Sequence, residues 1–310
     1  MITILITTSS FGKNDPTPLK ALQEAGLSVI TNPFGRKLTE DEVGQLITEH
    51  QPTALIAGIE PLTRRVQEKS SGLGVISRCG IGKDSVDLGA AKELGITVTN
   101  TPDAPTIPVA ELTMGMILCM LRHLHTGDRA IRQGQWQRPM GNLLHQKTLG
   151  VLGCGRIGSM VASLATAFGC RILGCDPCIE EHDCCDMSHF DEIISQSDII
   201  SIHVPYSESC HHLLGQAEIK RMKPGAIIIN TSRGGLVDEE SLYHALKENR
   251  LGGAALDCYE EEPYSGPLRE LDNVLLTAHI GSYALEGRLM MEQQSVDNLF
   301  RELKKLKVIQ

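Results

Sequence analysis

The sequence predicts an α/β protein built from two doubly wound parallel sheets. Three observations carry that expectation. Short β-rich runs alternate with helical patterns through the first third of the chain, and the same alternation restarts after a long apolar helix. The 310 residues, 41% of them apolar, suffice for two domains with full cores. Strands joined through helices rather than hairpins lie parallel, with both faces of the sheet covered.

Taken in order, "ITILIT" opens the first sheet, "PLKALQEAG" is helical, "LSVIT" is a strand and "TEDEVGQLITEH" a helix. "TALIAG" and "GLGVISRCG" are strands, "SVDLGAAKELG" is helical and "ITVTN" ends the set. From Pro108, "PVAELTMGMILCMLRHLHTGDRAIRQGQW" reads as an apolar helix followed by a polar one, with Met114, Leu118 and Leu121 spaced for packing. Six further strands follow: "TLGVLG", "RILGCD", "DIISIHV", "GAIIINT", "LGGAALD" and "NVLLTA". The closing "ALEGRLMMEQQSVDNLFRELKKLKV" is a long amphipathic helix suited to crossing back onto the first sheet.

Within this frame, "VLGCGRIGSM" places Gly153, Gly155 and Gly158 between an apolar strand and a helix. Gly153 suits a tight turn, Gly155 the approach of a pyrophosphate to the backbone, and Gly158 close contact of helix and strand. Asp176 ends the next strand, placed to accept from a ribose hydroxyl pair. A carboxylate there repels a 2'-phosphate, which favours NAD over NADP. Three later strands end in chemistry. "NTSRGGLVDEESL" presents Arg233, whose guanidinium can hold a carboxylate through two parallel bonds. "ALDCYEEEP" brings Glu262 and "LLTAHIGS" brings His279, a side chain suited to proton exchange near neutrality. Arg, Glu and His beside a nicotinamide site describe hydride transfer between C2 of a hydroxy acid and NAD.

The chain carries 38 acidic and 29 basic residues, a formal charge of -9, which argues against a phosphate-backbone binder, so no nucleic-acid partner is expected. No apolar run approaches the roughly 20 residues that span a bilayer, and "MITILITTSS" lacks the form of a signal peptide. No membrane association and a cytoplasmic location are expected. The ten cysteines read as reduced thiols. Cys175, Cys178, Cys184 and Cys185, near His182 and His189, have metal-ligand spacing, yet Asp176 inside "CDPC" has the ribose task, and no metal is expected.

Six segments give the chain a family resemblance: "SRCGIGKDSVDLGAAKELGITVTNTP", "VAELTMGMIL", "KTLGVLGCGRIG", "MKPGAIIINTSRGGLVDEESL", "GGAALDCYEEEP" and "NVLLTAHIG". It resembles the D-isomer-specific 2-hydroxyacid dehydrogenases, most of all their D-3-phosphoglycerate dehydrogenase branch. The resemblance implies a Rossmann-type cofactor domain inserted into a flavodoxin-like substrate domain. Residues 1–99 are then the first part of the substrate domain, 100–284 the NAD domain, and 285–310 a helix returning to the substrate domain. It further implies that Arg233 anchors the substrate carboxylate, that His279 is the acid/base and that Glu262 is its partner. Arg156, Ile157, His203, Val204, Pro205 and Thr231 would line the cofactor cleft with His279, and Asp257 would receive the nicotinamide carboxamide. The Gly80-Ile81-Gly82 turn and Arg78 would meet the substrate carboxylate. Pairing through cofactor domains implies a homodimer.

Some positions depart from the family pattern. "AGIEPLTRR" carries Glu60 about where a phosphate-binding cation would help, leaving Arg36, Lys37, Arg64, Arg65 or Lys83 to supply that charge. Ala278 replaces a usual Pro before the His, and Ser282 a usual Gly. The chain ends at "KKLKVIQ", so serine feedback through a C-terminal regulatory domain is not expected. The leading expectation is oxidation of 3-phosphoglycerate to 3-phosphohydroxypyruvate in serine biosynthesis. The alternative is reduction of glyoxylate, hydroxypyruvate or another short 2-oxo acid; a reading of another class is an NAD-sensing, corepressor-like binding protein.

Overall fold

Two parallel sheets form in the computed structural model of the chain, which describes residues 2–309, and each belongs to its own compact unit. The first unit comprises Met1–Pro105 and Ser282–Gln310, the second Thr106–Gly281. The first unit runs β1 (Thr3–Ile6), α1 (Thr17–Glu24), β2 (Ser28–Thr31), α2 (Glu40–His50), β3 (Ala54–Ala57), α3 (Arg64–Gln67), β4 (Val75–Arg78), α4 (Leu88–Glu93) and β5 (Thr97–Thr99). Its strand order is β2-β1-β3-β4-β5, every pair parallel.

Local signals account for its elements. Thr39 and Glu42 close a reciprocal capping box at the start of α2, and three carboxylates fill its first turn, where the helix dipole favours them. β3 and β4 are buried along their whole length, because helices cover both faces of the sheet. Val43 and Ile47 of α2 pack with Leu5, Leu55 and Ile76. On the other side Val296, Leu299 and Leu303 of the long last helix, α11 (Leu285–Lys305), pack with Ile4, Ile6 and Ile56.

The second unit begins with α5 (Thr106–Leu121) and α6 (Leu124–Arg132), followed by β6 (Thr148–Leu152), α7 (Arg156–Ala167), β7 (Arg171–Cys175) and β8 (Asp186–Met187). Then come α8 (Phe190–Gln196), β9 (Ile199–Ile202), α9 (Gln216–Arg221), β10 (Ile227–Asn230), α10 (Glu239–Lys247), β11 (Gly253–Leu256) and β12 (Val274–Leu276). The order is β12-β11-β10-β9-β6-β7-β8, again all parallel. The chain therefore leaves β6 to one side and returns through β9 on the other. The carboxyl ends of those two strands flank the switch point where open α/β sheets take ligands. Met114, Ile117 and Leu121 of α5 lie in the core with Leu149, Val151 and Ile229. Among the described residues no single helix is long and apolar enough to cross a membrane.

Two features differ from the sequence reading. β8 adds a seventh strand that two residues are too few to announce, and α3 is a single turn. The units change over a few residues from 99/100 and 284/285, since the link after β5 is tied to the first unit. There Thr101 N donates to Gly80 O at 3.0 Å and Asn100 Nδ2 to Ile81 O at 2.7 Å.

Candidate active site

Three adjacent strands of the second sheet deliver Arg233, Glu262 and His279 to one edge. Arg233 follows β10 in a turn that Asn230 organises: its Oδ1 accepts from Ser232 N at 3.1 Å, and its Nδ2 donates to Arg233 O at 2.7 Å. Gly234 comes next, and a Cβ there would stand 1.7 Å from Tyr259 O. Only glycine lets this turn seat against the segment after β11. That segment carries Cys258 and Glu262. Tyr259 N donates to Glu262 Oε1 at 3.3 Å, and the Tyr259 hydroxyl donates to Leu256 O and Thr277 O, tying the ends of β11 and β12 together.

His279 follows β12 with a φ of 52°, a left-handed conformation that costs a side-chain-bearing residue about 1–2 kcal/mol. Asp257 holds it there. Fully buried, its carboxylate accepts from Thr277 Oγ1 at 2.6 Å, Ile280 N at 2.8 Å and Gly281 N at 2.7 Å, on both sides of the histidine. With its backbone so fixed, His279 sets Nδ1 at 3.0 and 3.1 Å from the two Glu262 oxygens. Both side chains are partly exposed, at 34% and 26%. A carboxylate on Nδ1 orients the ring and leaves Nε2 for exchange with another molecule.

The glycine loop between β6 and α7 belongs to the same unit. Gly153 has a φ of 89° and a Cβ there would lie 2.8 Å from the His203 backbone, while one on Gly158 would lie 1.9 Å from Gly153 O. Gly155 differs: a Cβ there would meet nothing within 4 Å. It is exposed with Arg156, directly before the first turn of α7, and Ile157 is half-buried. Open backbone at a helix N-terminus fits a pyrophosphate. Asp176 stands at the carboxyl end of β7, its oxygens accepting from Cys154 N and Cys178 N at 2.9 Å each. Each oxygen keeps a lone pair for a ribose hydroxyl. These residues fit a dinucleotide.

The His203–Val204–Pro205 segment follows β9. Burial drives the His203 imidazole down to about 4, and Ser201 Oγ sits 2.8 Å from its Nε2, so the ring is a neutral wall. Val204 O accepts from Ser232 Oγ, linking this wall to the Arg233 turn. Thr231 is buried, its hydroxyl 2.8 Å from that of Thr113, which itself donates to Val109 O. Cys154 and Cys185 share a hydrogen bond that raises the Cys154 thiol and lowers that of Cys185. Among the described residues the Cys, His and carboxylate atoms grouped closely enough to share an ion are those of Cys258, Glu262 and His279, not the Cys175–Cys185 run.

In the first unit Arg78 ends β4 and is buried, its Nη1 donating to Cys79 O at 2.6 Å. Gly80 follows with a φ of 148°, and Gly80, Ile81 and Gly82 turn above it. Glu60 does not occupy a cation's place. It is 1% exposed, takes Thr7 Oγ1 and Gly58 N on Oε1, and burial pushes its carboxyl up. The candidate cations are mostly spoken for. Arg36 pairs with Glu42, Arg64 with Glu93 and Glu68, and Arg65 with Glu40 and Asp41. Lys37 shares an open depression with Asp84 and Asp87. Glu260, two residues before Glu262, meets His212 Nε2 at 2.9 Å.

Sequence reasoning missed Asn230, Gly234 and the structural task of Asp257. The signal for Gly234 was on the page, since two glycines in "SRGG" exceed what one turn needs.

Residues 114–281 match the model of the NAD-binding domain of D-isomer specific 2-hydroxyacid dehydrogenases. A D-3-phosphoglycerate dehydrogenase of Methanocaldococcus jannaschii is 40% identical over 300 residues, covering 93% of this chain but 55% of that protein, so the chain spans about half its length. A hydroxypyruvate reductase of Thermotoga maritima is 37% identical over 297 residues, covering 94% of this chain and 97% of its own. The crystal structure of a glyoxylate reductase from Paecilomyes thermophila superposes with a TM-score of 0.89 at 28% identity, over 98% of this chain and 96% of that one.

Proposed function

The chain belongs to the D-isomer-specific 2-hydroxyacid dehydrogenase family, and from that premise we propose that it interconverts a short D-2-hydroxy acid and its 2-oxo acid with NAD. The observation that carries the proposal is the His279–Glu262 pair, 3.0 Å apart, on the sheet edge that also bears Arg233.

When bound, the nicotinamide supplies the hydride acceptor or donor. The remaining work falls to the chain. Arg233 binds the substrate carboxylate and polarises the C2 oxygen. His279 Nε2 exchanges the proton on that oxygen, releasing it during reduction and taking it during oxidation, while Glu262 orients the ring and balances its positive charge. Gly155, Arg156 and Ile157 would hold the pyrophosphate, with Gly153 and Gly158 shaping the loop, and Asp176 would hold the adenine-side ribose, which favours NAD over NADP. His203, Val204, Pro205 and Thr231 would line the cofactor cleft. From the resemblance we also carry over an acceptor role toward the carboxamide for Asp257, whose Oδ2 accepts from Gly281 N at 2.7 Å and has a second lone pair. From the resemblance we carry over a carboxylate-binding role for Gly80, Ile81 and Gly82, with Arg78 as a support.

Among substrates we place the 3-phosphoglycerate and 3-phosphohydroxypyruvate pair first, which would serve serine biosynthesis; the 40% identity to a phosphoglycerate dehydrogenase supports it. The second reading is reduction of hydroxypyruvate or glyoxylate, favoured by the carboxylates already paired with Arg36, Arg64 and Arg65. NADH consumption with 3-phosphohydroxypyruvate, hydroxypyruvate, glyoxylate and pyruvate, ranked by kcat/KM, separates the two. No turnover with any of them would sink the enzyme reading in favour of an NAD-sensing binding protein.

We also propose a cytoplasmic homodimer. Leu124, Ile131, Trp136, Met140 and Leu143 of the second unit are exposed in and after α6, and this stretch is the surface we assign to pairing. A monomeric mass in sedimentation equilibrium would refute it.

A further inference from the structure

We propose that Cys258, Glu262 and His279 form a binding site for a thiophilic divalent cation of the zinc class, and that its occupation switches the active site off. The inhibitory consequence rests on the dehydrogenase reading above; the binding does not.

One ligand atom from each residue, the Cys258 sulfur, a Glu262 oxygen and a His279 ring nitrogen, lies within 4.8 Å of the other two. Zinc takes sulfur at about 2.3 Å and nitrogen or oxygen at about 2.0–2.2 Å. At tetrahedral angles its ligand atoms therefore stand roughly 3.3–3.7 Å apart. The Glu262–His279 pair, at 3.0–3.1 Å, is already near that spacing, and the Cys258 sulfur has to close from a separation of no more than 4.8 Å. Cys258 and Glu262 leave β11 and His279 leaves β12, so the sheet fixes the backbone of all three.

The chemistry of the set is specific. A thiol, an imidazole and a carboxylate select zinc, cobalt or cadmium over magnesium or calcium, which take oxygen alone. Binding exchanges the thiol proton for the ion and releases it to water; the thiolate and carboxylate then match the two positive charges. Tyr259 N on Glu262 Oε1 supplies an outer contact that holds a ligand in place. Three protein ligands leave one position open to water or to an incoming carboxylate. Cys258 decides the matter. Glu262 and His279 alone offer two ligands, and Cys258, 2% exposed with its thiol at Ser232 O, has no part in the proposed proton transfer. An ion on Nδ1 takes the Glu262 carboxylate away from the ring and fixes the ring's remaining proton on Nε2, which removes the proton exchange on which that transfer depends.

The test uses the full chain, stripped with a chelator and titrated with cobalt. Wild type should show one thiolate-to-cobalt charge-transfer absorption per chain, and Cys258→Val should lose it. Zinc should inhibit NADH consumption by wild type, a chelator should restore it, and Cys258→Val should keep the basal rate while needing at least about tenfold more zinc. Persistence of the cobalt band in Cys258→Val, or equal zinc sensitivity of the two proteins, would overturn the proposal and move the ion to other thiols such as the Cys175–Cys185 group. Should Cys258→Val fail to fold, Cys258→Ser keeps nearly the same volume without the thiolate and must likewise lose the charge-transfer band; a band that persists in it refutes the site. A chain that binds cobalt through Cys258 yet turns over no 2-oxo acid would leave the site standing and remove the dehydrogenase reading.

Discussion

Asp257→Asn tests whether catalysis depends on a buried clamp rather than on the acid/base pair alone. Asp257 is fully buried and takes three donors on two oxygens, at 2.6, 2.7 and 2.8 Å. An amide keeps one oxygen. With that oxygen facing Thr277 and Ile280, its NH2 faces Gly281 N–H, donor against donor. The lost charge-assisted bond is worth about 1.5–3 kcal/mol and the unmet buried N–H about 1–3 kcal/mol. The two surviving bonds also weaken on losing the charge. A total of roughly 2.5–6 kcal/mol is a large fraction of the stability of a whole domain.

The loop has a cheaper way out. Releasing residues 277–281 lets His279 leave its left-handed conformation and recover about 1–2 kcal/mol, at the expense of its alignment. Asp257→Asn should therefore fold with a lowered Tm and lose about 10²-fold or more in kcat, the scale of a reacting group displaced by 1 Å. Steady-state kinetics at saturating NADH and thermal unfolding by circular dichroism read both effects. A variant with kcat within twofold of wild type and an unchanged Tm would refute the clamp.

Other expectations follow from the same geometry. Arg233→Ala should lower kcat/KM about 10²–10⁴-fold, the worth of two charge-assisted bonds, with the KM for NADH little changed; Arg233→Lys should not restore it. Full activity of the alanine variant in the same assay would end the proposed mechanism. Gly234→Ala should cripple the enzyme without touching a reacting group, because its Cβ would meet Tyr259 O at 1.7 Å and displace the segment bearing Glu262; wild-type kinetics would contradict this. Glu60, raised by burial, binds its proton more tightly folded than unfolded, so it costs nothing below the ordinary value near 4.5 and progressively more as pH rises through its raised value. Glu60→Gln should gain urea resistance over wild type at pH 8 but not at pH 4. His203 has the opposite slope, being held neutral to about 4 against an ordinary 6.5, so up to about 3 kcal/mol of stability is lost as pH falls from 6.5 toward 4. His203→Gln should flatten that acid loss in urea midpoints.

Much of this protein was written in short stretches of sequence. The βα alternation, the Gly153–Gly158 loop opening a helix and Asp176 at the next strand end are local signals. Each is set by backbone sterics and burial within a few residues, and each appears in the structure as an element or a turn. The ends of β10, β11 and β12 likewise presented Arg233, Glu262 and His279 to one edge as the strand pattern implied.

Side-chain partnership was not legible, because it joins residues distant in the chain. Arg64 and Arg65 stood as candidates for a phosphate-binding charge until tertiary packing gave each a carboxylate more than twenty residues away. Glu60 read as a charge facing substrate until Thr7, more than fifty residues upstream, was seen to hold it inside. The left-handed turn of His279 and its clamp by Asp257, like the seat of Gly234 under Tyr259, arise from close approaches between separate strand ends. Sequence periodicity reports which face of an element is buried; it does not report which atom meets which. Only the fold, by closing those distances, decided that.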